Sequence, residues 1–129
     1  MNFQNIISLV LRLAAADIML QTLFYKFSAS EESVYIFSTL GMEPWGRIGT
    51  GVMELVAAIL ILIPRTTAFG ALLAIGLMAG AIFFHFTKLG IEVKGDGGLL
   101  FVYALIVFIS SAILLWLYKQ QVLSLLKRS

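Results

Sequence analysis

Four long apolar runs govern what this chain can fold into. Ile6–Phe27, Ile48–Ile63, Thr67–Phe86 and Leu99–Tyr118 each approach the length, about 20 residues, that a helix needs to cross the hydrocarbon core of a bilayer. The second run is short but extends back to Trp45. Hydrophobic residues make up 60% of the 129, mean hydropathy is +1.00, and charged residues make up 12%. That charged content is about half the share usual in a soluble protein. A soluble domain this small could not hide so much apolar surface. The expectation is an all-α integral membrane four-helix bundle, a single domain over residues 1–129 lying in a lipid bilayer.

The connections refine this picture. Ser28–Arg47 is the one long link between spans. Ser28 with Glu31 three residues later predicts a helix start. Val34-Tyr35-Ile36-Phe37 continue the helix, and Gly41 ends it. The segment reads as a short interfacial or re-entrant helix between the first two spans, covering one mouth of the bundle. Pro44 favours an extended Glu43, and Trp45 suits an interface belt. Pro64-Arg65-Thr66 is short enough to force an antiparallel hairpin. Lys88–Gly98 is a glycine-rich loop.

Four spans put both termini on one side. That side carries Arg65, Lys119, Lys127 and Arg128, and the other carries Lys26, Arg47, Lys88 and Lys94. The basic residues tie, while the loop acids Glu31, Glu32, Glu43, Glu92 and Asp96 all fall on the second side. We take both termini as cytoplasmic in a bacterial inner membrane. Ala14-Ala15-Ala16 resembles a signal-peptide cleavage site, but no Lys or Arg precedes Arg12, which interrupts the apolar run; an uncleaved first helix is expected.

Composition also excludes. With no cysteine there is no disulfide, thiolate metal site or thiol relay in the chain. A single histidine cannot supply two haem ligands within one copy. The basic residues form no stripe, so nucleic acid is not a partner.

Ionisable residues inside the spans carry the functional argument. A charge at the bilayer centre costs about 2.5–3.5 kcal/mol on insertion scales, so such residues are functional candidates by default. Asp17 and Glu54 are two of them; Arg12 and His85 are the others. At 1.5 Å per residue, Asp17 lies roughly 13 Å below Lys26 and Glu54 roughly 10 Å below Arg47, so the two carboxylates have comparable depth. Gln21 is four residues from Asp17 and shares its face, with Phe24 beside them. Arg12 is about 140° around the helix from Asp17, so it reaches toward a neighbouring helix rather than stacking on it.

The expectation is that the carboxylates line a shared polar cavity opening to the outer side. In it Glu54 and His85 handle protons as the candidate catalytic pair. Arg12, Asp17, Gln21, Lys26, Phe24, Trp45 and Arg47 bind substrate. The bland alternatives are a hydrogen-bonded neutral Glu54, an Asp17–Arg12 pair, an interfacial His85, and Lys26 and Arg47 as snorkelling anchors. No metal site is expected, since no ligand pair has helical i, i+4 spacing. Gly76-x-x-x-Gly80 and the glycines 46, 49 and 51 are taken as helix-packing positions.

The order of several short motifs resembles the DoxX family, the DoxX/DoxD-like four-helix membrane proteins. These are Leu11-Arg12-Leu13, Phe24-Tyr25-Lys26-Phe27, Leu40-Gly41-Met42, Gly51-x-x-Glu54-Leu55, Pro64-Arg65-Thr66 and Ala79 followed by His85. Asp17 departs from the pattern, where a small or apolar residue is expected. The resemblance implies a membrane component of a redox system, since similar proteins include the membrane subunit of an archaeal thiosulfate:quinone oxidoreductase. A distant relative is an assembly chaperone, so family alone does not fix the activity. Three readings follow: an oxidoreductase subunit binding quinone or a small substrate, a small-solute binding or transport protein, and a membrane assembly factor. A soluble or membrane redox partner and a homodimer are the expected associations. No redox centre is encoded in the chain.

Overall fold

The structure is a computed structural model describing residues 3–91, 95 and 97–128. Glu92, Val93, Lys94 and Asp96, counted above in the last loop, lie outside the described residues. Among the described residues six α-helices follow one another: α1 (Phe3–Phe27), α2 (Glu31–Thr39), α3 (Trp45–Leu62), α4 (Thr67–Phe84), α5 (Leu99–Leu117) and α6 (Lys119–Arg128). A 3₁₀ turn, Pro64–Thr66, joins α3 to α4, and α4 widens at its end into a π-helical turn, His85–Leu89. Four helical stretches are long and apolar enough to cross a membrane: α1, α3, the stretch Pro64–Leu89 and α5.

The spans form a ring in which α1 and α4 each pack against both α3 and α5. Their contacts rest on small side chains. Ala15, Ala16, Ala57, Ala58, Ala71, Ala74 and Ala104 are all buried, with Met19, Ile61, Val107 and Leu114 filling the space between them. Small residues let membrane helices approach closely where lipid gives no hydrophobic push.

Glycine serves the same purpose at Gly51, as expected, and at Gly70, which was not singled out from the sequence. A Cβ on Gly70 would stand 2.6 Å from the Ile61 amide nitrogen and 2.8 Å from the Ala57 carbonyl. One on Gly51 would stand 2.7 Å from the Phe27 ring. At Gly49, Gly76 and Gly80 it would meet nothing within 4 Å. The Gly76-x-x-x-Gly80 expectation is therefore corrected: the α3–α4 approach is made by Gly70, and Gly51 admits α1.

The hairpin end is closed by side chains that satisfy the last carbonyls of α3, which a helix terminus leaves without partners. Thr66 Oγ1 donates to Leu60 O (2.8 Å), Thr67 Oγ1 to Ile61 O (3.0 Å) and to Ile63 O (3.1 Å), and Arg12 to Leu62 O (3.3 Å). The tail beyond the fourth span forms α6 and folds back. Gln121 accepts from the Ala68 amide (2.9 Å) and donates to Pro64 O (2.7 Å), capping α4 from outside. Ser8 and Tyr118 share a hydrogen bond that ties α1 to the end of α5.

At the other end α2 lies across the mouth between α1, α3 and the π turn. Its cap is Ser30, whose hydroxyl accepts from the Ser33 amide (3.2 Å), rather than Ser28, whose hydroxyl turns back to Tyr25 O. Gly41 ends the helix as expected. At φ +74° it donates to Ser38 O, and Met42 donates to Phe37 O. That pair of bonds is the Schellman pattern, which needs a left-handed residue at this point.

Candidate functional site

Beneath α2 lies a cavity of about 580 Å³, walled by the second half of α1, by α2, by Thr50 and Glu54 of α3, by the end of α4 and by the start of α5. That size lies within the range of ligand pockets, about 300–1,000 Å³. Its surface is largely apolar, with Met19, Leu77, Met78, Ala104 and Val107 toward the bundle interior and Phe37, Phe84 and Tyr103 on its sides. The sequence led us to expect a polar chamber; the observed one is amphipathic, with Ser30, Glu32 and Ser33 from the α2 side, His85 from the π turn, and Thr22, Lys26, Thr50 and Glu54 on one flank.

That flank is built by two helices in register. Thr22 and Lys26 are one turn apart on α1, and Thr50 and Glu54 are one turn apart on α3, so each pair shares a face. Lys26 Nζ stands 2.8 Å from Glu54 Oε1, and Thr22 Oγ1 donates to Glu54 Oε2 at 3.0 Å. The Glu54 side chain is 2% exposed and that of Lys26 is 16%. Taking both charges out of water is expensive and is tolerated where the geometry is good and further hydrogen bonds complete it. The lysine keeps two further N–H donors, and both carboxylate oxygens keep spare lone pairs.

His85 enters from the π turn, a helical irregularity that recurs at functional sites. It is 5% exposed, and its ring meets Phe101 edge to face. Nδ1 lies 2.9 Å from Gly90 O. A carbonyl only accepts, so Nδ1 carries the proton of that bond. In the neutral ring Nε2 is then an acceptor, and it has no bond within the described residues.

The expected site residues divide accordingly. Glu54, His85, Gln21 and Lys26 all line the cavity. Arg12, Asp17, Phe24, Trp45 and Arg47 do not, and the structure assigns each another place. Arg12 lies at the opposite end, on the α3 terminus, its Nε buried without a partner. Arg47 is buried as a clamp: it pairs with Glu43 through Nε and Nη2 (2.9 Å each) and donates to Lys26 O at 2.6 Å, a cation at the carbonyl end of α1. Phe24 and Trp45 are 67% and 66% exposed on the outside of the bundle. Asp17 lies on the outer face of α1, with no partner among the described residues. The shared chamber for both carboxylates is thus corrected: only Glu54 faces inward.

Residues 10–110 match the model of the DoxX-like family. The chain belongs to the DoxX-like family. No curated protein and no solved structure matches it. In this DoxX-like chain the matched stretch holds every cavity residue named above, together with both carboxylates and His85. Cavity residues that were not singled out from the sequence include Thr22, Thr50 and Met19. The first two carried a usable signal, since each stands i−4 to a charged residue, Lys26 and Glu54.

Proposed function

We propose that this DoxX-like protein is the membrane component of a redox system and binds a quinone, or a small ring compound of the same shape, in the cavity beneath α2. One observation carries the reading: a buried Lys26–Glu54 pair on the flank of a largely apolar chamber. An isoprenoid-like or aromatic body suits the methionine and aromatic walls, and a polar ring oxygen suits the flank. Lys26 donates to that oxygen, and Thr22 holds the Glu54 carboxylate in place. Glu54 and His85 Nε2 accept protons from a ring hydroxyl or return them. The bound quinone supplies the two-electron chemistry, and a soluble or membrane partner exchanges the electrons.

Transport of a small solute is the weaker reading, because the buried core of Ala15, Ala58, Ile61, Ala71 and Leu114 closes the bundle below the cavity. We place the protein in a bacterial inner membrane with both termini cytoplasmic. The loop acids Glu31, Glu32 and Glu43 all stand at the mouth end, and that asymmetry is what supports the orientation.

The test uses the purified protein in mild detergent, with short-chain benzoquinone and naphthoquinone as probes and native mass spectrometry for retained molecules. Wild type binds a probe in the micromolar range, about −8 kcal/mol. Gly80→Leu fills the chamber from a position where a Cβ meets nothing, and binding is lost while the thermal transition is kept. Probe binding unaffected by Gly80→Leu, or uptake of a polar solute into vesicles by wild type, overturns the proposal.

A further inference from the structure

The exposed surface of α1, α3, α4 and α5 is apolar except on α1, where Gln4 and Asn5 stand at its start, Gln21 borders the cavity, and Asp17 lies in mid-span. Every exposed residue of α3, α4 and α5 among those described is apolar, including Val52, Ile59, Leu72, Phe83, Ile106 and Ile109. On α1 the centre line of the outer face runs Ile6, Val10, Leu13, Asp17, Leu20, Phe24, all of them exposed. The steps alternate four, three, four, three and four residues, the a/d spacing of a coiled-coil seam. Asp17 sits in the middle of that seam and near the middle of the span. Lysine and arginine can snorkel from such a depth, but aspartate is too short to do so.

We infer that this seam of α1 is covered by the same seam of a second copy of the chain, in a parallel pair with the two Asp17 carboxyls facing across the axis. Two arguments select a second copy. All copies insert in one orientation, so a two-fold axis along the membrane normal sets each seam residue opposite itself at its own depth. Asp17 then meets a polar group at its own depth, its counterpart on the second copy. The two carboxyl groups then face one another as polar partners within an otherwise apolar seam. A single polar residue at a core position of a two-helix seam fixes register and copy number, which accounts for its place among apolar neighbours.

The chain has no cysteine, so single cysteines report directly. Purified Ile6→Cys and Phe24→Cys proteins, reconstituted at high lipid-to-protein ratio and oxidised, form disulfide dimers at least tenfold more than Ile59→Cys and Phe83→Cys on other outer faces. Adding Asp17→Lys to the Phe24→Cys protein lowers its dimer at least tenfold by like charge. Mixing that double variant with Phe24→Cys restores a heterodimer through the Lys–Asp contact. Equal cross-linking at all four positions, or none in the purified protein, overturns the inference; the second result would point to a different membrane protein carrying a basic residue at that depth. These readouts do not depend on the ligand of the cavity.

Discussion

Glu54 and Asp17 are the same kind of group at comparable depth, and the fold treats them oppositely. Glu54 points into the bundle, nearly sealed, with an ammonium and a hydroxyl on its two oxygens. Asp17 points away from it and has no partner among the described residues. Depth follows from counting residues along a helix. Azimuth follows from the contrast between an apolar inner face and a polar outer one, and a membrane span has no such contrast, because lipid tails are as apolar as leucine. The two carboxylates therefore look alike in sequence and differ wholly in environment.

The sharpest way to break the comparison is to remove one partner from each. Lys26→Met leaves the Glu54 charge buried with only Thr22. Stranding one member of a buried pair costs about 3–5 kcal/mol, and partial exposure of Lys26 sets the lower end as the expectation. The double variant Lys26→Met with Glu54→Gln recovers most of that loss, since the amide still accepts from Thr22. Denaturant unfolding in detergent micelles reads both. A single variant as stable as wild type would mean that the pair does not hold α1 to α3.

Much of this architecture was legible beforehand. The four spans, the helix over the mouth, the Gly41 stop and the hairpin at Pro64 all follow from apolar length and turn chemistry, which are local. Glu54, Lys26, Gln21 and His85 were read as site residues and do line one cavity. What failed were several of the inferences that needed a rotation about a helix axis. Asp17 faced the wrong way, and Arg47 turned out to be paired with Glu43, one helical turn back. Arg12 did reach a neighbouring helix, but at the end remote from the cavity. The glycine pair of α4 failed for a related reason. Gly76-x-x-x-Gly80 has the spacing of a contact motif, yet contact depends on which face the neighbour occupies.

That misreading gives the second, smaller test. Gly70→Ala places a methyl group against backbone atoms of α3, at 2.6 and 2.8 Å, which cannot swing aside. Overpacking of this kind costs about 1–3 kcal/mol. Gly80→Ala enters open space and should cost nothing, with helix propensity favouring alanine by up to about 1 kcal/mol. Thermal transitions of the two proteins in one detergent separate them. Equal losses would return Gly80 to the helix contacts.

The smallest effect belongs to the outer carboxylate. Asp17 is exposed and has no hydrogen bond or ion pair among the described residues, so Asp17→Asn removes none within the protomer. Substitutions away from such features usually stay within about 0.5 kcal/mol. The prediction is an unfolding midpoint and a probe affinity indistinguishable from wild type when the protein is diluted to monomers in detergent. Glu54→Gln measured beside it should alter both, because it replaces a charged partner of Lys26 on the cavity flank. If Asp17→Asn instead weakened binding in the monomer, the outer face of α1 would have to communicate with the chamber through the helix itself. The distinction between an inner and an outer carboxylate would then describe geometry without describing function.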